Sequence, residues 1–127
     1  MIDFKNFIDS TEKSKIASFD FDETLAVEME PIWECIEALI DYSNQGYKIV
    51  IVTARDNYQK SEVEHFVESW ELPVEDIICT NMELKGPYLE KIGAELHVDD
   101  NEEQLQSVKD HGVKAINTMD ILGKDNH

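Results

Sequence analysis

The chain has 127 residues, 42% hydrophobic and 31% charged, which suits one globular domain spanning 1–127 and neither a second core nor a disordered chain. Its 28 acidic residues outweigh 11 basic ones for a net charge of −17, the ten lysines are scattered, and Arg55 is the sole arginine; this footprint disfavours nucleic acid as a partner without closing that reading. Apolar runs such as Ile49-Val50-Ile51-Val52 are too short to cross a bilayer, and the opening residues lack a signal-peptide pattern, so the expectation is a cytoplasmic protein with no membrane partner.

In chain order, KIASFD (15–20) reads as a buried strand that breaks into the acidic pair Asp22-Glu23. Pro31 suits a first helical position, and Ile32, Ile36, Leu39 and Ile40 follow at helical spacing until Gly46. KIVIVT (48–53) is a β-branched run that fits a strand buried on both faces. Val63, Phe66, Val67 and Trp70 predict a second helix that Pro73 stops. A short strand over 77–79, a helix from Pro87 through Ile92, a strand over 95–98, a helix around Leu105 and Val108 ended by Gly112, and a strand over 114–117 complete the chain.

Strands alternating with helices predict a doubly wound, Rossmann-like α/β fold: a parallel sheet of about five strands with helices on both faces. Ligands of such sheets sit at the carboxyl ends of the strands. Asp20, Asp22 and Thr24 follow the first strand, Thr53 and Arg55 the second, Lys85 the third, and Asp99 and Asp100 the fourth, so these residues share one edge. Asp20 and Asp22, two apart, project to one side of an extended chain and Phe19 and Phe21 to the other. Carboxylates converging from neighbouring strands raise one another's pKa unless a cation intervenes, and all-oxygen donors suit Mg²⁺ completed by substrate phosphate.

These residues resemble the haloacid dehalogenase superfamily of phosphatases. FDFDETL carries the Asp-x-Asp-x-Thr motif, IVTAR the second, the lysine of LKGPY the third and HVDDN the fourth, in order, over about residues 16 to 117. The resemblance implies that Asp20 is the nucleophile and that Asp22 protonates the leaving oxygen and then activates water. It also implies that Thr53 bonds the phosphoryl oxygens, that Lys85 neutralises charge around them, and that Thr24, Ala54 and Arg55 bind substrate. Mg²⁺ would be held by Asp20, the backbone carbonyl of Asp22 and the acids Asp99 and Asp100, with Asp100 the direct ligand and Asp99 its support. Glu23 stands where the family often has glycine. Lys91 competes with Lys85 for the third motif, but Lys85 precedes its helix on the carboxyl edge while Lys91 ends it.

Neither 25–47 nor 56–84 leaves room for a cap domain. The resemblance therefore implies an open site, serving a phosphorylated small molecule, a macromolecular end, or a homo-oligomer whose neighbour covers it. The spacing from IVTAR to the acidic pair is also similar to the phosphatase domain of phage polynucleotide kinases. The expected function is a Mg²⁺-dependent phosphomonoester hydrolase working through an aspartyl-phosphate. The alternatives are a nucleotide or nucleic-acid end phosphatase and a catalytically silent interaction domain.

Blander readings accompany several residues. Asp99 or Asp100 could be a helix N-cap, and Arg55 a structural ion pair. His97, between Leu96 and Val98 in a strand, reads as structural, while His65, His111 and His127 belong to no constellation. Trp33, Trp70 and Tyr88 read as packing residues, and Cys35 and Cys79, without metal-type spacing, as reduced and buried.

Overall fold

The computed structural model describes residues 15–123. The opening residues read above for targeting signals, and His127, lie outside them.

Five parallel strands form the sheet: β1 (Ile16–Phe19), β4 (Lys48–Thr53), β5 (Val74–Cys79), β6 (Leu96–Asp99) and β7 (Lys114–Asn117), in the order β5-β4-β1-β6-β7. The winding reverses between β1 and β6, which opens a crevice beyond their carboxyl ends. Helices α1 (Trp33–Asn44), α2 (Lys60–Ser69), α3 (Gly86–Ile92), α4 (Glu102–Asp110) and α5 (Thr118–Gly123) connect and flank the strands. The expected doubly wound α/β fold is the observed one.

The period of two along each strand divides the core into two layers. Ala17, Phe19, Ile49, Ile51, Leu96 and Val98 join a cluster with Ile36 and Leu39 of α1 and Val63 and Phe66 of α2. Val50 and Val52 join the other, with Leu89 of α3 and Val108 of α4. Ser18 and His97 alternate with residues of the first layer and so face the second, where they are fully buried.

Three elements differ from the sequence expectation. Pro31 does not start a helix: it lies in β3 (Glu30–Pro31), paired with β2 (Ala26–Val27) in a hairpin, and α1 starts at Trp33 with Ile32 at its N-cap. The fixed φ of proline suits a strand end as well as a first helical turn, so the residue could not decide between them. β5 begins at Val74, three residues early, because a sheet edge accepts the exposed Glu75 and Asp76. The terminal helix α5 was not foreseen. Trp33 and Trp70 pack edge to face with ring centroids 5.1 Å apart, both half-exposed.

The chain turns sharply after β1. Asp22 bridges to Ala26, and Glu23 adopts φ +65°, the left-handed conformation that glycine takes without strain. Glu23 itself carries the turn.

Candidate active site

At the reversal point, Lys85 projects its ammonium between two aspartates, 2.8 Å from Asp20 Oδ1 and 2.7 Å from Asp99 Oδ2. Lys85 is 1% exposed and Asp99 0%. A charge so far from water needs opposite charge and full hydrogen bonding to be tolerated. Its backbone is anchored too: Lys85 N–H donates to Gln104 Oε1 of α4 at 2.9 Å, and Gly86 N–H to Ser107 Oγ at 3.1 Å. A Cβ at Gly86 would lie 2.5 Å from the Ser107 carbonyl oxygen, so only glycine allows α3 to approach α4 this closely. Lys91, in the last turn of α3, is exposed and makes no contact with the aspartates.

Asp20 Oδ1 also accepts Phe21 N–H at 2.8 Å, and Thr24 Oγ1 donates to Asp20 Oδ2 at 3.4 Å. Burial, opposed by Lys85 and reinforced by the Asp99 charge, holds the Asp20 carboxyl well above the ordinary carboxylate range. Asp99 behaves oppositely. Its burial penalty is outweighed by the His97 bond and the Lys85 charge, which keep it ionised far below that range. Asp100 is exposed, and partial burial with the neighbouring Asp99 charge pushes its carboxyl up despite a contact with Asp20. Neither aspartate caps α4; the cap is Asn101, whose side chain accepts Gln104 N–H at 3.0 Å.

Asp20, Asp99 and Asp100 each offer an oxygen, all within 4.8 Å of one another, and this group could hold a metal ion. With all three ionised, Lys85 leaves two negative charges uncompensated. A hard divalent cation matches that balance and the all-oxygen donor set. The Asp99 oxygens already receive Lys85, His97 and Asn101 N–H, and the Asp20 oxygens Lys85, Phe21 N–H and Thr24, which leaves the exposed Asp100 the freest donor.

Asp22 stands apart from this group. Its exposed carboxylate is gripped by Arg55, with Nε to Oδ2 at 2.8 Å and Nη2 to Oδ1 at 2.9 Å, while Arg55 Nη1 reaches Glu62 at 2.7 Å. Arg55 thus forms an ion pair with Asp22. Its guanidinium lies 5.2 Å from the centroid of the buried Phe21 ring. Thr53 ends β4, 1% exposed, and its Oγ1 accepts Arg55 N–H at 3.3 Å. The Ala54 carbonyl accepts Met82 N–H at 2.7 Å, tying the loops after β4 and β5 together. Thr24 is fully buried and its hydroxyl also bonds Thr118 Oγ1 at 3.0 Å, so that group faces inward behind Asp20.

Sequence reasoning missed what surrounds Asp99. His97 Nε2 lies 2.8 Å from Asp99 Oδ2, and His97 Nδ1 lies 2.8 Å from Ser18 Oγ. The available signal was two polar residues at sheet-facing positions of adjacent central strands, Ser18 and His97, which pair in the β1–β6 register. Cys35 and Cys79 are free and buried. No helix among the described residues is long and apolar enough to cross a membrane.

A doubly wound α/β sheet that gathers three carboxylates and a buried lysine at its reversal point is the class that fold and site define. Among solved structures, two that share the fold come from the Pnkp1/Rnl/Hen1 RNA repair complex. One superposes with a TM-score of 0.68 at 14% identity over 82% of this chain and 42% of that one; the other with 0.68 at 16% identity over 84% and 47%. The chain therefore spans less than half the length of either. No protein-family model and no curated protein matches the sequence.

Proposed function

We infer that the protein is a Mg²⁺-dependent phosphomonoester hydrolase of the haloacid dehalogenase type, acting through an aspartyl-phosphate on Asp20. One observation carries the reading: the Lys85 ammonium is buried between Asp20 and Asp99 with Asp100 alongside. Positive charge directed at a carboxylate in a water-poor crevice is what phosphoryl transfer chiefly requires.

An Asp20 oxygen attacks phosphorus as the bond to the leaving oxygen breaks, and Asp22 gives that oxygen its proton. Water then attacks the phosphorus of the aspartyl-phosphate, Asp22 takes a proton from it, and the bond to Asp20 breaks to release phosphate. Lys85 holds the attacking carboxylate and balances the charge of the transferred group. Two hydrogen bonds from Arg55 hold the Asp22 side chain in one orientation. Thr53 bonds the phosphoryl oxygens, Ala54 and Arg55 line the substrate side, and Thr24 supports Asp20 from behind. Mg²⁺, held by Asp20, Asp100 and the Asp22 carbonyl with Asp99 behind them, would draw negative charge from the phosphate when bound.

Read as one cytoplasmic unit over 1–127, the domain has no cap element among its described residues. Its substrate is accordingly a small phosphate ester or an exposed macromolecular end, unless a second copy covers the site. A second reading, a nucleic-acid end phosphatase, draws support from the fold shared with chains of an RNA repair complex. The charge of −17 opposes it. Assaying sugar phosphates, nucleotides, phosphopeptides and phosphorylated oligonucleotides with Mg²⁺ decides between them.

The mechanism predicts that Asp20→Asn stays folded yet loses turnover by several powers of ten, on the order of 10³ or more. A phosphate-mimicking fluoride should form its adduct on Asp20 of the wild type. Near-normal hydrolysis by the variant would sink the covalent route.

A further inference from the structure

Behind Lys85 lies a buried polar array that the proposed chemistry does not use directly. Ser18, His97 and Asp99 are each 0% exposed. Their bonds run from Ser18 Oγ to His97 Nδ1 and from His97 Nε2 to Asp99 Oδ2, each 2.8 Å. Serine, histidine and aspartate in that order have the connectivity of a hydrolytic triad, but no ester could reach a serine buried in the middle of β1. The array acts inward, through Asp99.

Its polarity follows from elementary donor counting. Asp99 Oδ2 already accepts from Lys85 and faces Nε2, so Nε2 carries the imidazole proton toward it; Nδ1 then accepts from the Ser18 hydroxyl. Asp99 Oδ1 receives Asn101 N–H at 3.1 Å, and Oδ2 receives both His97 and Lys85. Three donors from fixed directions leave Asp99 one orientation, and that orientation points Oδ2 at the lysine.

The geometry points to His97 as a positioning residue for phosphoryl transfer: its Nε2–H, oriented by Ser18, locks the Asp99 carboxylate so that the Lys85 ammonium stays against Asp20. The inference rests on the phosphatase reading above. Without the imidazole, Asp99 loses one of the three donors that fix its orientation, and Lys85, bonded to its Oδ2, can shift with it away from the reacting oxygen.

The test uses p-nitrophenyl phosphate with Mg²⁺, below the melting onset of every variant. His97→Asn keeps an amide near Ser18 but does not reach Asp99; His97→Gln carries an N–H to the Nε2 position. Outer-shell losses of this type run at about 10- to 100-fold. His97→Asn should therefore lower kcat at least about 10-fold with KM moved less than about 3-fold, and His97→Gln should recover to within about 3-fold of wild type. In a Lys85→Ala background, His97→Asn should cost less than about 2-fold, because the residue it positions is gone. Equal losses in Asn and Gln, or costs that multiply with Lys85→Ala, would overturn the assignment. So would a ¹⁵N NMR spectrum with the imidazole proton on Nδ1. A wild type inactive on every ester would sink the phosphatase reading alone. The positioning role would then be decided by the NMR tautomer and by a crystal structure of His97→Asn: Lys85 displaced from Asp20 supports it, and Lys85 unmoved overturns it.

Discussion

At the scale of single residues, the two lysines that precede the acidic pair separate cleanly. Lys85 is buried against Asp20 and Asp99, and Lys91 is exposed at the far end of α3. A charge facing the transferred group in a dehydrated site contributes several kcal/mol, so Lys85→Ala should lower kcat/KM by about 10²-fold or more. Lys91→Ala should change it less than about 2-fold, as expected of a solvated side chain. Steady-state kinetics on both variants checks the ranking, and the reverse order would move the third motif to Lys91. Asp20, Lys85, Asp99 and Asp100 were legible because each follows a strand at the carboxyl edge, where topology alone brings them together. Ser18 and His97 were not, since their bond joins residues 79 positions apart. The local trace in each strand is one polar residue between apolar neighbours, which does not name its partner.

At the scale of elements, legibility followed periodicity. β4 and its continuous β-branched run were plain, and so were the apolar stripes of α1 and α2. The β2–β3 hairpin was hidden because its two-residue loop, Glu28-Met29, adopts φ +50° and +69° without the glycine or asparagine that marks such turns. Short α5 has no room for a periodic signal. The junction of α3 with α4 carries a further expectation. Since a Cβ at Gly86 meets the Ser107 backbone oxygen at 2.5 Å, Gly86→Ala must push α3 outward, and backbone cannot yield as a side-chain tip can. A cost of about 1–3 kcal/mol is expected, measured by denaturant unfolding. Activity should fall more than stability alone explains, because Lys85 is the preceding residue. A variant as stable and active as wild type would show that the helices are not held at this distance.

For the whole molecule, the winding order is what turns four separate strand ends into one charged site. Crowding carboxylates there costs the folded state more than the unfolded chain, so a bound cation should stabilise the fold. Mg²⁺ at 100-fold above its Kd, bound only by the native state, contributes about 2.7 kcal/mol, worth roughly 10 °C in Tm for a domain of this size. A chain of charge −17 also gains from any electrolyte, so the comparison is melting in Mg²⁺ against Na⁺ at matched ionic strength. The Mg²⁺-specific rise should appear in the wild type and largely vanish in Asp100→Ala. An equal rise in both would remove Asp100 from the ligands.

The outer strands of the sheet bear on how the protein behaves in company. β5 lies at one edge and shows solvent two adjacent acids, Glu75 and Asp76; β7 lies at the other, its first residue the exposed Lys114. An open edge presents unpaired amides and carbonyls to any passing strand, and charge is a common guard against such pairing. On β5 the guard is paired negative charge, which repels its own copy. Glu75→Val with Asp76→Thr would convert VEDIIC into an uncharged, β-branched run. Light scattering of the concentrated double variant should then report edge-to-edge association and fibrillar growth where the parent chain stays dispersed.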